Sequence, residues 1–183
     1  MIDLVMMGAA LALFEYIIVR ATHRFTGQPY TVSLAAAITS IVYMRWGAWG
    51  MVHAAEAGFI FCLFSGATRK QYLIYCIGNL FSVLAVLLLK GFGKERVRSG
   101  NLALVFPALV LLLMQGGRAV VAVALGAPPA DAVGFFTTDS LSLVFTLVII
   151  WIARRLDGIY EDQKHYLLRI HDEETKKEVN YES

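Results

Sequence analysis

The sequence has few charged residues and few cysteines, and both shortages restrict what the protein is. Only 16% of its 183 residues are Asp, Glu, Lys or Arg, whereas a soluble domain has about 25%. The net charge is +2, so nothing indicates a nucleic-acid-binding surface. The two cysteines, Cys62 and Cys76, do not form a CxxC motif and say little about the redox compartment.

Motifs of common enzymes are absent as well. The chain contains no HExxH, GxSxG or Walker motif, so any ATP hydrolysis is expected in partner proteins. His53 and Glu56 have the i, i+3 spacing of many metal pairs, but no third ligand is evident. We therefore predict no bound metal and no cofactor. A small membrane enzyme that uses Glu56 and His53 for acid–base chemistry is the weaker alternative.

Hydrophobic residues make up 58% of the chain and are concentrated in long segments. A membrane-spanning helix needs about 20 such residues. The pattern predicts an all-α integral membrane protein: a compact bundle of about six transmembrane helices in residues 1–155, then a charged tail in residues 156–183. We interpret the first segment as a retained helix rather than a signal peptide. The first two segments are short, which leaves five spans as an alternative. The predicted segments are 4–19, 31–44, 51–65, 71–89, 102–125 and 132–153.

The distribution of basic residues predicts an orientation for this bundle. Six spans would place the basic loop 90–98, Arg45, Arg154 and Arg155 on the same side. The positive-inside rule makes that side cytoplasmic, with both termini inside the cell. The protein is then expected in the cell membrane as a multi-pass protein, and its charged tail is expected to form a cytoplasmic helix that starts near Asp157.

Four polar residues in four different segments fall at a similar predicted depth. Counting 1.5 Å per residue places Glu15, Asn79, Arg118 and Asp139 in the outer half of the membrane, and Glu56 nearer the middle. An ionisable side chain at such depth costs about 2.5 kcal/mol or more, so it normally has a partner or a function. Three carboxylates for one arginine are too many for pairing alone. Either some are protonated, or a cationic or zwitterionic ligand completes the set.

These residues predict a ligand-binding pocket that includes neighbouring polar and aromatic side chains. Three alternatives remain open: a purely structural Arg118–Asp139 pair, a Glu15 side chain that reaches the interface, and an Asn79 that only joins helices. They would make the protein a structural or regulatory membrane subunit. The predicted ligand-binding residues are Glu15, Glu56, Asn79, Gln115, Arg118, Phe135, Thr138 and Asp139.

Three stretches between Arg45 and Arg155 carry a family resemblance: RWGAWGMVHAAEAGFIFCLFSG, YLIYCIGNL and GFFTTDSLSLVFTLVIIWIARRLDG, the last running just past Arg155. With about six helices and a polar site in the outer half, the chain resembles the substrate-binding S-components of energy-coupling factor (ECF) transporters, the vitamin-uptake branch of the ABC importers. The resemblance implies a subunit that binds a vitamin or related micronutrient, docks on a transmembrane T-component and depends on two cytoplasmic ATPases.

The sequence departs from this family at two positions that matter for function. The family docks through an Ala-xxx-Ala pattern on its first helix, whereas the first segment here has Gly8 and Ala12. The metal-specific branch begins with Met-His, whereas Ile2 follows Met1 here. Nickel or cobalt uptake is therefore not expected, and the docking surface is not identified by the motif.

Overall fold

The computed structural model describes residues 2–24, 32–156, 158–160 and 163–181. Within these ranges the chain is helical and has no strand. Short 3-10 segments at Gly47–Trp49 and Phe81–Ala85 join consecutive helices. The helices are α1 Ile2–Arg24, α2 Ala35–Trp46, α3 Gly50–Ser65, α4 Arg69–Leu80, α5 Val86–Phe92, α6 Lys94–Ser99, α7 Leu102–Ala124, α8 Pro129–Thr138, α9 Ser140–Ala153 and α10 Gln163–Tyr181.

Five helical stretches of the described chain are long and apolar enough to cross a membrane. The prediction of an all-α protein with several membrane-spanning helices is therefore confirmed at this level. One stretch, residues 35–65, contains most of two segments that the sequence predicted separately, 31–44 and 51–65. The five stretches are Ile2–Thr22, Ala35–Ser65, Arg69–Phe92, Leu102–Ala124 and Pro129–Ala153.

Contacts between α1 and α2 show that these helices run in opposite directions. Asp3, at the start of α1, forms an ion pair of 3.0 Å with Arg45 at the end of α2. Glu15, later in α1, accepts a hydrogen bond from the backbone N–H of Leu34, which precedes α2. After α2 the chain turns at Gly47, whose φ of +65° lies in the region that favours glycine.

Helix α3 runs back beside α1 in the same direction as α1. His53, early in α3, has its Nε2 3.1 Å from the Leu4 carbonyl oxygen. Further along, the rings of Tyr16 and Phe64 pack edge to face with centroids 4.7 Å apart. The 35–65 stretch therefore folds into two antiparallel helices, with the reversal in the aromatic and glycine-rich turn.

Helix α2 occupies the centre of the bundle. All of its residues from Ala35 to Met44 are buried, and the small side chains of its first half let neighbouring helices approach closely. The Tyr43 ring lies edge to face with Phe106 of α7, and its hydroxyl is 2.9 Å from the Ser82 hydroxyl. The surrounding helices expose many apolar side chains, as helices that face lipid do.

Two glycines bring α4 and α7 into direct backbone contact. A Cβ atom added to Gly78 would lie 2.6 Å from the Arg118 Cα, and one added to Gly117 would overlap the carbonyl oxygen of Gly78. No side chain fits at either position, so the two helices cross at van der Waals distance. This crossing places Asn79 of α4 opposite Arg118 of α7.

The last candidate span is interrupted at Asp139. The sequence predicted one segment over residues 132–153, but the structure divides it into α8 and α9. Asp139 has φ −92° and ψ 11°, and its side chain makes no capping hydrogen bond at the start of α9. The carboxylate is therefore directed elsewhere.

The charged end of the chain contains helix α10. The expected start near Asp157 lies outside the described residues, and α10 itself begins at Gln163. An ion pair of 3.2 Å joins Arg169 to Glu173 one turn later. Before α10, the buried Tyr160 hydroxyl donates a hydrogen bond of 3.2 Å to the Ile150 carbonyl, and burial raises the pKa of Tyr160 to about 12.

Candidate functional site

A buried ion pair between Arg118 and Asp139 forms the centre of the polar site. The distance from Arg118 Nη1 to Asp139 Oδ2 is 2.8 Å, and each side chain is less than a tenth exposed. Arg118 Nε donates a hydrogen bond of 2.8 Å to Asn79 Oδ1, and the guanidinium lies 4.8 Å from the ring centroid of Tyr75. One cation therefore holds together α4, α7 and the α8–α9 junction.

Asn79 is oriented by bonds to two neighbouring helices. Its Nδ2 donates a hydrogen bond of 2.9 Å to the Ala54 carbonyl of α3, which leaves Oδ1 to accept from Arg118. The Ser82 hydroxyl donates 2.6 Å to the Asn79 carbonyl, which ties the same residue to the start of the following 3-10 segment. Asn79 therefore joins helices, which is one of the roles that the sequence left open for it. Its amide oxygen also points towards the Arg118–Asp139 ion pair.

Glu15 approaches the same site from α1. Its side chain is buried, with a residue exposure of 1%. The carboxylate accepts hydrogen bonds from the Ser33 hydroxyl at 2.6 Å and from the Leu34 N–H at 3.1 Å. The backbone N–H of Ser33 donates a hydrogen bond of 3.0 Å to the Ser142 hydroxyl of α9. The segment before α2 therefore bridges α1 and α9.

Glu15, Arg118 and Asp139 line one small cavity, which we call the polar cavity. Its other walls include Tyr75, Phe61 and small residues of α2 and α3. The space open to the centres of water-sized molecules is about 40 Å³, enough for a few waters. With Glu15 ionised the lining carries one net negative charge, which favours a cationic or zwitterionic group inside, and with Glu15 protonated Arg118 and Asp139 balance each other.

Two predicted site residues on α8 lie beside the polar cavity rather than in its lining. The Phe135 ring packs edge to face against Tyr75, with centroids 6.1 Å apart, and so supports the ring that covers Arg118. The Thr138 hydroxyl donates a hydrogen bond of 2.8 Å to the Gly134 carbonyl in its own helix. Phe135 therefore acts on the site through Tyr75, and the Thr138 hydroxyl is already engaged in α8.

Glu56 and Gln115 lie away from the polar cavity. The Glu56 carboxylate packs against α1, with an oxygen 3.0 Å from where a Cβ of Gly8 would lie. No described hydrogen bond joins Glu56 to His53, whose Nε2 contacts the Leu4 carbonyl. Gln115 is buried but lines a separate groove. Among the described residues, no group of three or more His, Cys, Asp or Glu is arranged to hold a metal ion.

Tyr75 and Ser33 belong to the site but were not among the predicted residues. Tyr75 lies one helical turn before Asn79, so the i, i+4 spacing in YLIYCIGNL could have placed both on the same face as the site. Ser33 gives no comparable signal, because its role depends on the segment before α2 crossing α1. Such a long-range contact is not encoded in local spacing.

No protein-family model, curated protein or solved structure matches the chain. The likeness to S-components therefore rests on the sequence stretches given above. The function has to be inferred from the site itself.

Proposed function

We propose that the protein is a membrane-embedded subunit that binds a vitamin or related small micronutrient for uptake, together with a T-component and two ATPases. The observation that carries the proposal is the polar cavity, in which Glu15, Arg118 and Asp139 from three parts of the bundle meet. Buried ionisable groups inside a membrane bundle are costly and commonly mark a ligand pathway. The chain acts in this proposal as a transport subunit and not as an enzyme.

The chemistry of the cavity favours a ligand with a positive or zwitterionic polar group. Arg118 is paired with Asp139, so a ligand cation would balance the second carboxylate, Glu15, when that group is ionised. A ring of the ligand would find an aromatic face at Tyr75, whose ring already interacts with Arg118. A vitamin is larger than the 40 Å³ now open, so binding requires the cavity walls to move apart.

The interruption at Asp139 supplies a place where such a movement can occur. Discontinuous membrane helices commonly form the substrate sites of transporters, since the break exposes backbone groups and allows half-helices to shift. Asp139 lies between α8 and α9 and also holds the ion pair with Arg118. Ligand binding would therefore act on the ion pair and on the helix junction together.

We further propose six membrane passes, with both termini in the cytoplasm of the cell. The antiparallel arrangement of α2 and α3 supports two passes within residues 35–65. Helix α2 is only about 18 Å long at 1.5 Å per residue, but it is enclosed by protein and need not match the bilayer by itself. Arg98 donates to the Met44 carbonyl, so the basic 90–98 region lies at the same end as Arg45.

The direct test of the proposal is to identify the ligand and then to alter the ion pair. Mass spectrometry of metabolites that co-purify with the protein should reveal one small molecule at near-stoichiometric amount. Arg118→Ala and Asp139→Ala should each weaken its binding at least about tenfold, since each removes a charge that a buried polar ligand needs. His53→Ala is the matched control, because His53 is buried but does not line the polar cavity.

The partner part of the proposal has a separate test. Expression with its chromosomal neighbours and affinity purification should recover a membrane T-component and two ATPases, because this chain has no Walker motif. Purification without such partners, repeated in native membranes, would contradict the transport assignment. It would leave a ligand-binding result standing by itself.

A structural or regulatory subunit is the second candidate, and one observation favours it. Arg118 bonds to both Asn79 and Asp139, and these bonds join three parts of the bundle. If the network only holds helices together, no micronutrient should raise the unfolding temperature, whereas a tight ligand must do so by mass action. An enzyme based on His53 and Glu56 has less support, because no described hydrogen bond joins the two side chains and His53 Nε2 instead contacts the Leu4 carbonyl.

A further inference from the structure

Glu15 lines the polar cavity but forms no ion pair within the described part of the chain. Arg118, the cation among the described lining residues, is engaged by three other groups. It bonds to Asp139 and to Asn79, and its guanidinium lies against the ring of Tyr75. The protonation state of Glu15 therefore determines whether the cavity is neutral or carries a negative charge.

The contacts of Glu15 are compatible with a protonated carboxyl. A buried carboxylate without a cation commonly takes up a proton, because the charged form has lost its water. Glu15 is buried, and its hydrogen bonds from the Ser33 hydroxyl and the Leu34 N–H both end on Oε1. A proton on Oε2 therefore disturbs neither bond. With that proton in place Arg118 and Asp139 balance each other, and the cavity is neutral.

The other titratable groups near α1 do not take over this role. His53 and Glu56 contact α1 at Leu4 and Gly8, which are at least about 10 Å along the helix from Glu15. A thiol and a phenol are uncharged near neutral pH. The titratable and charged groups on α1, on the elements packed against it and in the cavity lining are Asp3, Tyr16 and Arg20 of α1, Arg45 of α2, paired with Asp3, His53, Glu56 and Cys62 of α3, Tyr75 of α4, Arg118 of α7 and Asp139.

The remaining walls of the polar cavity suit an ammonium group in size and chemistry. Phe61 and Tyr75 both line it, with ring centroids 4.7 Å apart, and aromatic rings attract organic cations. The Thr22 hydroxyl donates to backbone carbonyls of its own helix, so its oxygen can still accept a hydrogen bond. The open space of about 40 Å³ holds a group of ammonium size but not a ring system. A metal ion would instead require a shell of oxygen ligands.

We propose that the polar cavity exchanges a proton for the ammonium group of its ligand. Glu15 is protonated in the ligand-free protein, and the incoming ammonium displaces this proton and forms an ion pair with the carboxylate. One proton leaves for each cation that enters, so the net charge of the cavity stays at zero. The inference rests on the proposed function in that this cavity is the ligand site, and it narrows the ligand to a primary amine.

The experiment uses methylammonium as the probe, because it stays protonated near neutral pH as the ammonium of lysine does. Infrared difference spectra of the full chain in lipid nanodiscs follow the C=O band of a protonated carboxyl. Methylammonium chloride should remove this band and increase the carboxylate band, whereas sodium chloride at the same concentration should not. Glu15→Gln should abolish the change. Glu56→Gln is the matched control and should retain it, because Glu56 is not among the described residues of the cavity lining.

The affinity for methylammonium should also depend on pH. Protons compete for the carboxylate that binds the cation, so release of one proton raises the dissociation constant about tenfold for each pH unit lower, over the range in which the band is present. Glu15→Gln should bind at least about tenfold more weakly, the effect of losing a charge-assisted hydrogen bond, and should lose this pH dependence. Glu56→Gln should keep both the affinity and the pH dependence of the wild type.

A second variant tests the aromatic wall and replaces Glu15→Gln if that variant does not fold. Phe61→Leu retains Glu15 but removes one ring of the lining. It should weaken methylammonium binding about threefold to tenfold, for one lost cation–π contact. The band of the protonated carboxyl should remain in the absence of methylammonium. Unchanged affinity of Phe61→Leu would contradict an ammonium inside the cavity.

Three results would overturn the proposal. They are the absence of a protonated-carboxyl band from the wild type, a band that methylammonium leaves unchanged, and a band that sodium chloride removes equally. If one of them occurs while a metabolite still co-purifies, the proposed function stands and only the proton exchange is refuted. Exchange with methylammonium in a protein that retains no metabolite and no transport partners would support the ammonium site and contradict the micronutrient function.

Discussion

Adjacent glycines in α7 allow a sharp test of how the polar site is held in place. A Cβ atom on Gly117 would overlap the Gly78 carbonyl oxygen and lie 2.8 Å from Phe81, whereas a Cβ on Gly116 would meet nothing within 4 Å. Both residues lie inside the same helix. Gly117→Ala and Gly116→Ala therefore make the same chemical change, and only the first forces α4 and α7 apart.

The expected difference follows from two opposing contributions. Alanine stabilises a helix interior by up to about 1 kcal/mol relative to glycine, and Gly116→Ala should gain that amount. Overpacking costs about 1–3 kcal/mol, and at Gly117 the neighbour is a backbone carbonyl, which cannot rotate away. The helix-propensity gain is common to both variants, so Gly117→Ala should lose up to about 2 kcal/mol, and the two variants should differ by the overpacking cost of about 1–3 kcal/mol.

The free energy of unfolding can be measured by titrating mixed micelles with SDS and following helicity by circular dichroism. Gly78→Ala provides a repeat from the other helix, because its Cβ would lie 2.6 Å from the Arg118 Cα. Equal stability of Gly116→Ala and Gly117→Ala would show that the helices separate at no cost. In that case the Arg118–Asn79 bond would not be set by the glycine contact.

Two further predictions concern buried hydrogen bonds. Glu15→Gln keeps an acceptor for the Ser33 hydroxyl, so it should change the free energy of unfolding by less than about 1 kcal/mol. Glu15→Leu removes that acceptor and should cost about 1–3 kcal/mol. Equal losses for the two variants in the same SDS titration would contradict this prediction. Tyr160→Phe should cost about 1 kcal/mol near neutral pH by removing the bond to Ile150. Because burial raises the pKa of Tyr160 from 10 to about 12, its unfolded form releases the proton first, and the wild type should lose stability between pH 10 and 12. The free energy of unfolding should therefore fall less between pH 8 and pH 11 for Tyr160→Phe than for the wild type. Identical pH profiles would refute the raised pKa of Tyr160.

The sequence predicted the fold class well because apolar length is a direct signal of membrane helices. It also indicated the turn near Gly47, where glycine and tryptophan residues follow Arg45. It did not predict the break at Asp139, since no proline or glycine marks that position. The Thr-Thr-Asp-Ser cluster was the available signal: short polar side chains bond to nearby backbone, as Thr138 does to Gly134, and thereby compete with a continuous helix.

The sequence predicted that the site residues lie in one layer of the bundle, but it did not predict which way each side chain points. A rise of 1.5 Å per residue was enough to place Glu15, Asn79, Arg118 and Asp139 in one layer, and the structure brings these four together. The rotation of each helix about its axis is set by packing, and helices that are apolar on every side give little hint of it. Gln115 lines a separate groove rather than the polar cavity, and this placement follows from the rotation of α7.

A double substitution separates the two interpretations of the Arg118–Asp139 pair. Either single change to an apolar residue leaves a buried charge without its opposite charge, and such changes cost about 3–5 kcal/mol. Replacing both partners together, as Arg118→Met with Asp139→Leu, should recover most of that loss, since apolar replacements of a buried pair are often neutral. Asn79 would still lack its arginine partner, so recovery should be incomplete.

Stability and ligand binding should respond differently to this double substitution. If the pair only holds the helices together, the double variant should regain stability and whatever activity the protein has. If the pair binds a micronutrient, the double variant should regain stability while its binding remains as weak as in the single variants, because the ligand needs the charges themselves. SDS unfolding and calorimetric titration of the same preparations measure both quantities. Recovery of binding along with stability would refute a ligand-binding role for the pair.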